Sequence, residues 1–199
     1  LCLIIFLAYF LTKKEEKMRS FSFGFLPTLF LSGIVIALVV KEPDFGAALF
    51  LTVMVFLLLF VSGARLIYVV GAFLLATPVA YYFLMNAGYR YRRLISFIRP
   101  WEDPTGTSFQ IIQSFLSFGS GGLFGLGLGE GRQKLFFLPA PHTDFIFSII
   151  GEELGLAGAM IVLLLFFILT LRGIQIALSL GDRFGAYLAL GITLMISLQ

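Results

Sequence analysis

The feature that most constrains this chain is a set of long apolar runs, each ended by a short charged or polar break. Residues 21–40, 45–64 and 66–89 contain no Asp, Glu, Lys or Arg, and 145–171 contains only Glu152 and Glu153. A helix needs about 20 predominantly apolar residues to cross the ~30 Å hydrocarbon core of a bilayer, and each run is that long. The break Lys41-Glu42-Pro43-Asp44 is short, so the first two runs form a hairpin. Pro43 suits the first turn of the second helix, where a missing N–H costs little, and Asp44 suits its positive end. Arg65 opens the next break, and Pro78 predicts a kink inside the third run. Residues 172–183 hold a further turn, with Gly181-Asp182 as its break. Residues 1–12 and 184–199 read as partial helices. The expected fold is all-α: a polytopic transmembrane helix bundle of about four complete spans, with partial helices at both ends, as one membrane domain over 1–199.

Composition supports this and narrows the rest. The chain is 59% hydrophobic and 13% charged, against about 45–50% and about 25% for a soluble domain. An aqueous domain and a disordered chain are both excluded. The single cysteine, Cys2, rules out an internal disulfide framework and a multi-cysteine metal site. Its apolar surroundings predict a buried, inert thiol. The net charge of +3 is not gathered on a soluble module, so nucleic acid is not an expected partner. The chain opens at Leu1 within an apolar run and without Met, as a fragment of a longer protein would.

Residues 88–143 differ from the runs around them. They hold four arginines before Trp101-Glu102-Asp103-Pro104, and seven glycines between Gly119 and Gly131. They read as one long extramembrane loop, with 109–118 as an interfacial or re-entrant piece. Basic residues do not set the orientation, since seven fall on each side. Lys13, Lys14, Lys17, Arg19, Arg65, Arg172 and Arg183 lie on one side; Lys41, Arg90, Arg92, Arg93, Arg99, Arg132 and Lys134 lie on the other. Short loops obey the positive-inside rule better than long ones. The short basic loop after Thr12 is therefore expected in the cytoplasm and the long loop outside it.

Chemistry-bearing residues cluster where the long loop meets the last full run. His142, Thr143 and Asp144 stand together there. By position alone, Asp144 suits either a helix N-cap or a membrane-surface carboxylate that acts as general base or holds a cation. One His and one Asp are too few for a zinc site. Glu152 and Glu153 follow roughly 12–13 Å further along a helix, where an ionisable group is costly and faces a cavity or a partner. Gly151 and Gly155 form a small-xxx-small pair suited to close helix packing. The guanidinium forks of Arg90, Arg92, Arg93 and Arg99 fit phosphate oxygens, whether of a lipid pyrophosphate or of ordinary headgroups. The glycine cluster lacks a Gly-Lys-Ser/Thr ending and is no nucleotide P-loop. It reads as a mobile or closely packed loop.

The ordered set Glu42-Pro43-Asp44-Phe45-Gly46, Pro100-Trp101-Glu102-Asp103-Pro104, Leu138-Pro139, His142-Thr143-Asp144-Phe145-Ile146-Phe147 and Gly151-Glu152-Glu153-Leu154-Gly155 resembles the SEDS family. These are the polytopic peptidoglycan glycosyltransferases of the FtsW, RodA and SpoVE type. Trp-Glu-Asp-Pro and Gln133-Lys134-Leu135 look more like the division-type FtsW than RodA. The resemblance implies a roughly ten-helix protein of the bacterial cytoplasmic (inner) membrane, with 88–143 as its large extracytoplasmic loop. It implies an inverting polymerase of lipid II in cell division, inactive as an isolated fragment, with Asp144 as the essential acidic residue. Arg90, Arg92, Arg93, Lys134, His142, Thr143, Glu152 and Glu153 are then the expected substrate-binding residues. The expected ligands are lipid II and undecaprenyl pyrophosphate, with a divalent cation (Mg or Mn) as a possible cofactor. A class B penicillin-binding protein and other divisome proteins are the expected partners. Two other readings stay open on the residues alone: a lipid II flippase or transporter, and a non-catalytic scaffold that recruits a transpeptidase.

Overall fold

The structure is a computed structural model that describes residues 1–42, 44–85, 88–104, 106, 108–131 and 145–198, with only the backbone of Phe83, Tyr89 and Arg90. Every regular element among the described residues is helical. The helices are α1 (Cys2–Lys13), α2 (Leu26–Lys41, entered through a π-turn at Phe21–Phe25), α3 (Phe45–Val61), α4 (Leu66–Met85), α5 (Gly88–Ile98), α6 (Phe109–Gly121), α7 (Ile146–Ser179) and α8 (Arg183–Leu198). They form two compact units, one of Leu1–Pro78 with Phe166–Gln199 and one of Val79–Leu165.

The first unit is built on helical spacing. Leu3, Ile4, Leu7, Ala8 and Leu11 make one buried stripe on α1, the i, i+3, i+4 repeat of a helix that buries one face. Met54, Val55, Leu58 and Leu59 of α3 join it, with Met18 and Phe25. Gly191 lets α8 close on α1, because a Cβ there would strike Ile4. Gly173 gives α7 the same close approach to Thr193. Polar side chains within these apolar helices turn back to their own backbone: Thr28 donates to the Gly24 carbonyl at 2.8 Å, Ser32 to Thr28 at 2.8 Å and Thr52 to Ala48 at 2.7 Å. Such i−4 bonds satisfy a hydroxyl where no water competes. An ion pair joins Glu15, in a 3-10 turn after α1, to Arg183 at the start of α8. It brings together two of the charged segments that the charge reading placed on one side.

The polytopic reading fits these helices. Phe21–Lys41 and Ile146–Ser179 are both long and apolar enough to cross a bilayer. On α7, Leu163, Leu164, Leu165, Phe166 and Phe167 are all more than half exposed. An apolar girdle of that kind is unsuited to water and suited to lipid. Helix α3 is shorter than its run, with 17 residues and hence about 25 Å of axis. Asp44 caps it, with Oδ1 accepting from the Ala47 N–H at 2.9 Å. Pro43 lies outside the described residues.

Several expectations are corrected. The third run is helical over Leu66–Met85, residues 86–87 lie outside the described residues, and Gly88 and Tyr89 belong to α5. The stretch read as one long loop holds α5, a 3-10 turn at Pro100–Glu102, and α6. Helix α5 forms because Tyr91, Leu94, Ile95 and Ile98 recur at helical spacing between the arginines. Helix α7 runs through Arg172 to Ser179, so the turn is confined to 180–182. There Asp182 caps α8, accepting from the Gly185 N–H at 2.9 Å. Cys2 is exposed rather than buried; it lies off the buried stripe of α1.

Gly24 should be the least replaceable glycine of the first unit. A Cβ there would press on the Lys17 carbonyl and lie 2.7 Å from the Met18 Cα, both backbone, whereas Gly33 has nothing within 4 Å. In the full-length parent protein, Gly24→Ala should lower Tm clearly. Gly33→Ala should leave it unchanged or raise it, as expected for alanine in a helix interior. Thermal unfolding of the purified variants checks this.

Candidate functional site: a broken helix held by a glycine loop

The second unit is organised around a break in α7. Gly155 sits at φ 67°, ψ −166°, outside helical geometry. Every helix end leaves N–H and C=O groups without intrahelical partners, and in apolar surroundings each such group costs several kcal/mol. The glycine-rich segment after α6 supplies the partners. The Leu126 N–H donates to the Glu152 carbonyl at 3.0 Å, and the Gly127 N–H to the Glu153 carbonyl at 3.1 Å. On the other side of the break, the Leu156 N–H donates to the Gly122 carbonyl at 2.9 Å, and the Ala157 N–H to Leu123 at 3.1 Å. One loop thus caps both the end of the first half and the start of the second.

This exchange demands glycine. A Cβ on Gly125 would strike the Glu153 carbonyl, and one on Gly155 would reach the Gly125 nitrogen and lie 2.7 Å from the Leu123 carbonyl carbon. Both residues also have positive φ, which costs an L-residue with a side chain about 1–2 kcal/mol. The pairing of Gly151 with Gly155 in one packing face is therefore corrected. Gly151 does pack, under the Phe118 ring of α6, but Gly155 is the break itself. The Phe118 ring also lies 5.6 Å from that of Phe147, which fixes α6 along the first half of α7.

The acidic pair is drawn into this arrangement. Glu152 is 1% exposed. At Gly131 a Cβ would stand 3.1 Å from Glu152 Oε2 and 3.0 Å from Glu153 Oε1. Both carboxylates thus flank the chain where it leaves the glycine loop. Lys134, His142, Thr143 and Asp144 lie outside the described residues, as does Arg132. Of Arg90 only the backbone is described, in α5. Arg92 and Arg93 are exposed on α5, and Arg92 Nε donates to the Gly88 carbonyl at 3.3 Å. Arg99 is held by Glu102 at 3.0 Å. Among the described residues no three His, Cys, Asp or Glu side chains converge as a metal site would require.

Sequence reasoning missed two elements here. One is the loop-to-break pairing. The other is Ser108, which stands as an N-cap should, directly before α6, yet makes no side-chain cap bond. Its place could be read from Ser-Phe-Gln-Ile-Ile, but its unused hydroxyl could not.

Gly155→Ala and Gly125→Ala should each destabilise the full-length parent protein, by about 2 kcal/mol or more from backbone strain and contact together. Gly119→Ala should be neutral or stabilising, since nothing lies within 4 Å of a Cβ there. Equal Tm values for all three variants would contradict the interlock.

Comparison with known proteins agrees with this architecture. The family model FtsW/RodA/SpoVE, described as cell cycle protein, matches residues 1–199. The probable peptidoglycan glycosyltransferase FtsW of Geobacter metallireducens is 48% identical over 100% of this chain and 53% of its own length. That of Legionella pneumophila is 38% identical over 100% of this chain and 51% of its own. Stage V sporulation protein E of Bacillus subtilis is 44% identical, over 100% of this chain and 54% of its own. The chain thus spans about half the length of the curated relatives it matches. A solved chain from work on a peptidoglycan synthase complex that coordinates polymerization and crosslinking superposes with a TM-score of 0.71 at 29% identity. It covers 96% of this chain and 54% of that one. A match along every residue, with helical elements throughout the described residues, places the chain in the FtsW/RodA/SpoVE family, with its division-type FtsW members.

Proposed function

We propose that this chain is part of a peptidoglycan glycosyltransferase that joins lipid II into glycan strands outside the bacterial cytoplasmic membrane during cell division. The observation that carries this reading is the match along all 199 residues to relatives named for that activity. The superposition on a chain from a peptidoglycan synthase complex supports it.

In this reading Asp144 is the general base. It takes the proton from the acceptor sugar's 4-hydroxyl as that oxygen attacks the donor's anomeric carbon. The new C–O bond forms on the face opposite the leaving group, so the carbon inverts. The old C–O bond breaks, and its electron pair leaves with undecaprenyl pyrophosphate. Arg90, Arg93 and Lys134 offset the charge of that leaving group, and Arg92 binds the substrate with them. His142 and Thr143 shape the segment that presents Asp144. Glu152 and Glu153, beside Gly131 at the exit of the glycine loop, take part in binding the substrate. A class B penicillin-binding protein crosslinks the product as the partner enzyme.

The test uses the full-length parent protein with its transpeptidase partner and purified lipid II, with and without Mg or Mn. Asp144→Asn keeps the size of the side chain and removes the base. It should lower the polymerisation rate by about 10²–10⁴, the usual contribution of a positioned general base, while partner binding and Tm stay unchanged. A variant that polymerises at the wild-type rate overturns the role of Asp144. Transfer of intact lipid II across vesicles, with no glycan from the wild type, overturns the enzyme reading in favour of a flippase.

A further inference from the structure

A second polar site lies away from the glycine loop, between α5 and the start of α6. It is a cleft of about 260 Å³ lined by Tyr91, Arg92, Ile95, Ser96, Arg99, Glu102, Asp103 and Ser108. Its floor is buried: Ser96 is 3% exposed and Ser108 1%. Among the described residues the Ser108 hydroxyl, like that of Ser117 within α6, has no hydrogen-bond partner, although Ser108 occupies the N-cap position of α6. A buried hydroxyl left unpaired is costly and rare, so a native structure that keeps one at a cleft needs a reason for it.

The lining decides what chemistry fits. Two guanidinium groups, Arg92 and Arg99, and two carboxylates, Glu102 and Asp103, line it. The formal charge of the cleft is therefore balanced. A pyrophosphate would meet two carboxylates, and a cation would meet two arginines. A neutral ligand rich in hydroxyls meets no such penalty, because each hydroxyl both donates and accepts. Arg99 and Glu102, 3.0 Å apart, set donor and acceptor side by side, as two adjacent hydroxyls require. Tyr91 adds an aromatic ring to the wall, and the next element carries Trp101, 65% exposed. Phe97, on the side of α5 away from the cleft, is 75% exposed, and Ile98 is 62% exposed. Exposed apolar side chains next to arginines on one short helix suit a membrane surface.

We propose that the cleft between α5 and α6 binds one sugar ring of a saccharide at the membrane surface, independently of the carboxylate at Asp144. The inference rests on the proposed function for the extracytoplasmic side of the membrane, but not on any chemistry at Asp144. Its natural ligand by class is a sugar unit of a growing or finished glycan strand.

The experiment reads binding without turnover. The full-length parent protein in nanodiscs is titrated with a soluble tri-N-acetylglucosamine, with inorganic pyrophosphate, and with dihexanoyl phosphatidylethanolamine. The trisaccharide should bind the wild type and the Asp144→Asn variant alike. Arg92→Gln and Glu102→Gln, both at exposed positions, should each weaken it at least fivefold. Ser108→Ala should weaken it too, without lowering Tm, because the hydroxyl gives the unliganded fold no bond. Arg172→Gln, outside the cleft, should change nothing. Absent trisaccharide binding, or binding equal in every cleft variant, overturns the proposal. So does cleft-dependent binding of the phosphatidylethanolamine or of pyrophosphate in place of the sugar. Loss of polymerisation in Asp144→Asn with sugar binding intact separates this outcome from the fate of the catalytic reading.

Discussion

Four backbone hydrogen bonds between a glycine loop and a broken helix organise the second unit. A helix interrupted at Gly155 would expose donors and acceptors within an apolar run, and the loop after α6 satisfies both sets at once. The arrangement is tight because the partners are backbone, so the loop must approach without side chains at Gly125 and Gly155. It also fixes where the chain leaves the loop, beside Glu152 and Glu153, before it returns at Phe145 to begin α7.

The first unit reaches order by a different route. Its helices interlock through small residues and apolar stripes, as at Gly191 against Ile4 and Gly173 against Thr193. The hydroxyls of Thr12, Thr28, Ser32, Thr52 and Thr193 are satisfied within their own helices. Helices of this kind need no water and present apolar side chains outward, the arrangement expected where lipid is the solvent.

Much of this was legible in the chain itself. Uninterrupted apolar runs located the helices, and Asp44 was readable as a cap because capping is a local affair of three residues. Helix α5 was obscured by its arginines, although Tyr91, Leu94, Ile95 and Ile98 carry the helical period. Gly155 was misread for a physical reason: its spacing from Gly151 matches a packing motif, while its real partners, Gly122 to Gly127, lie far away in sequence. The idle hydroxyl of Ser108 was hidden in the same way, since a serine before a helix ordinarily caps it. The residues of the family motif, His142 to Asp144, were found by their order and spacing within a longer pattern, and position alone did not separate a cap from a base.

The measurement that bears most directly on the account is the product formed from lipid II by the wild-type full-length protein with its transpeptidase partner. Mass spectrometry and glycosidase digestion would identify it. Inverted, β-linked glycan strands should form, with one undecaprenyl pyrophosphate released per bond. Lipid II recovered without any new glycosidic bond, from a folded and partner-bound preparation, would contradict it.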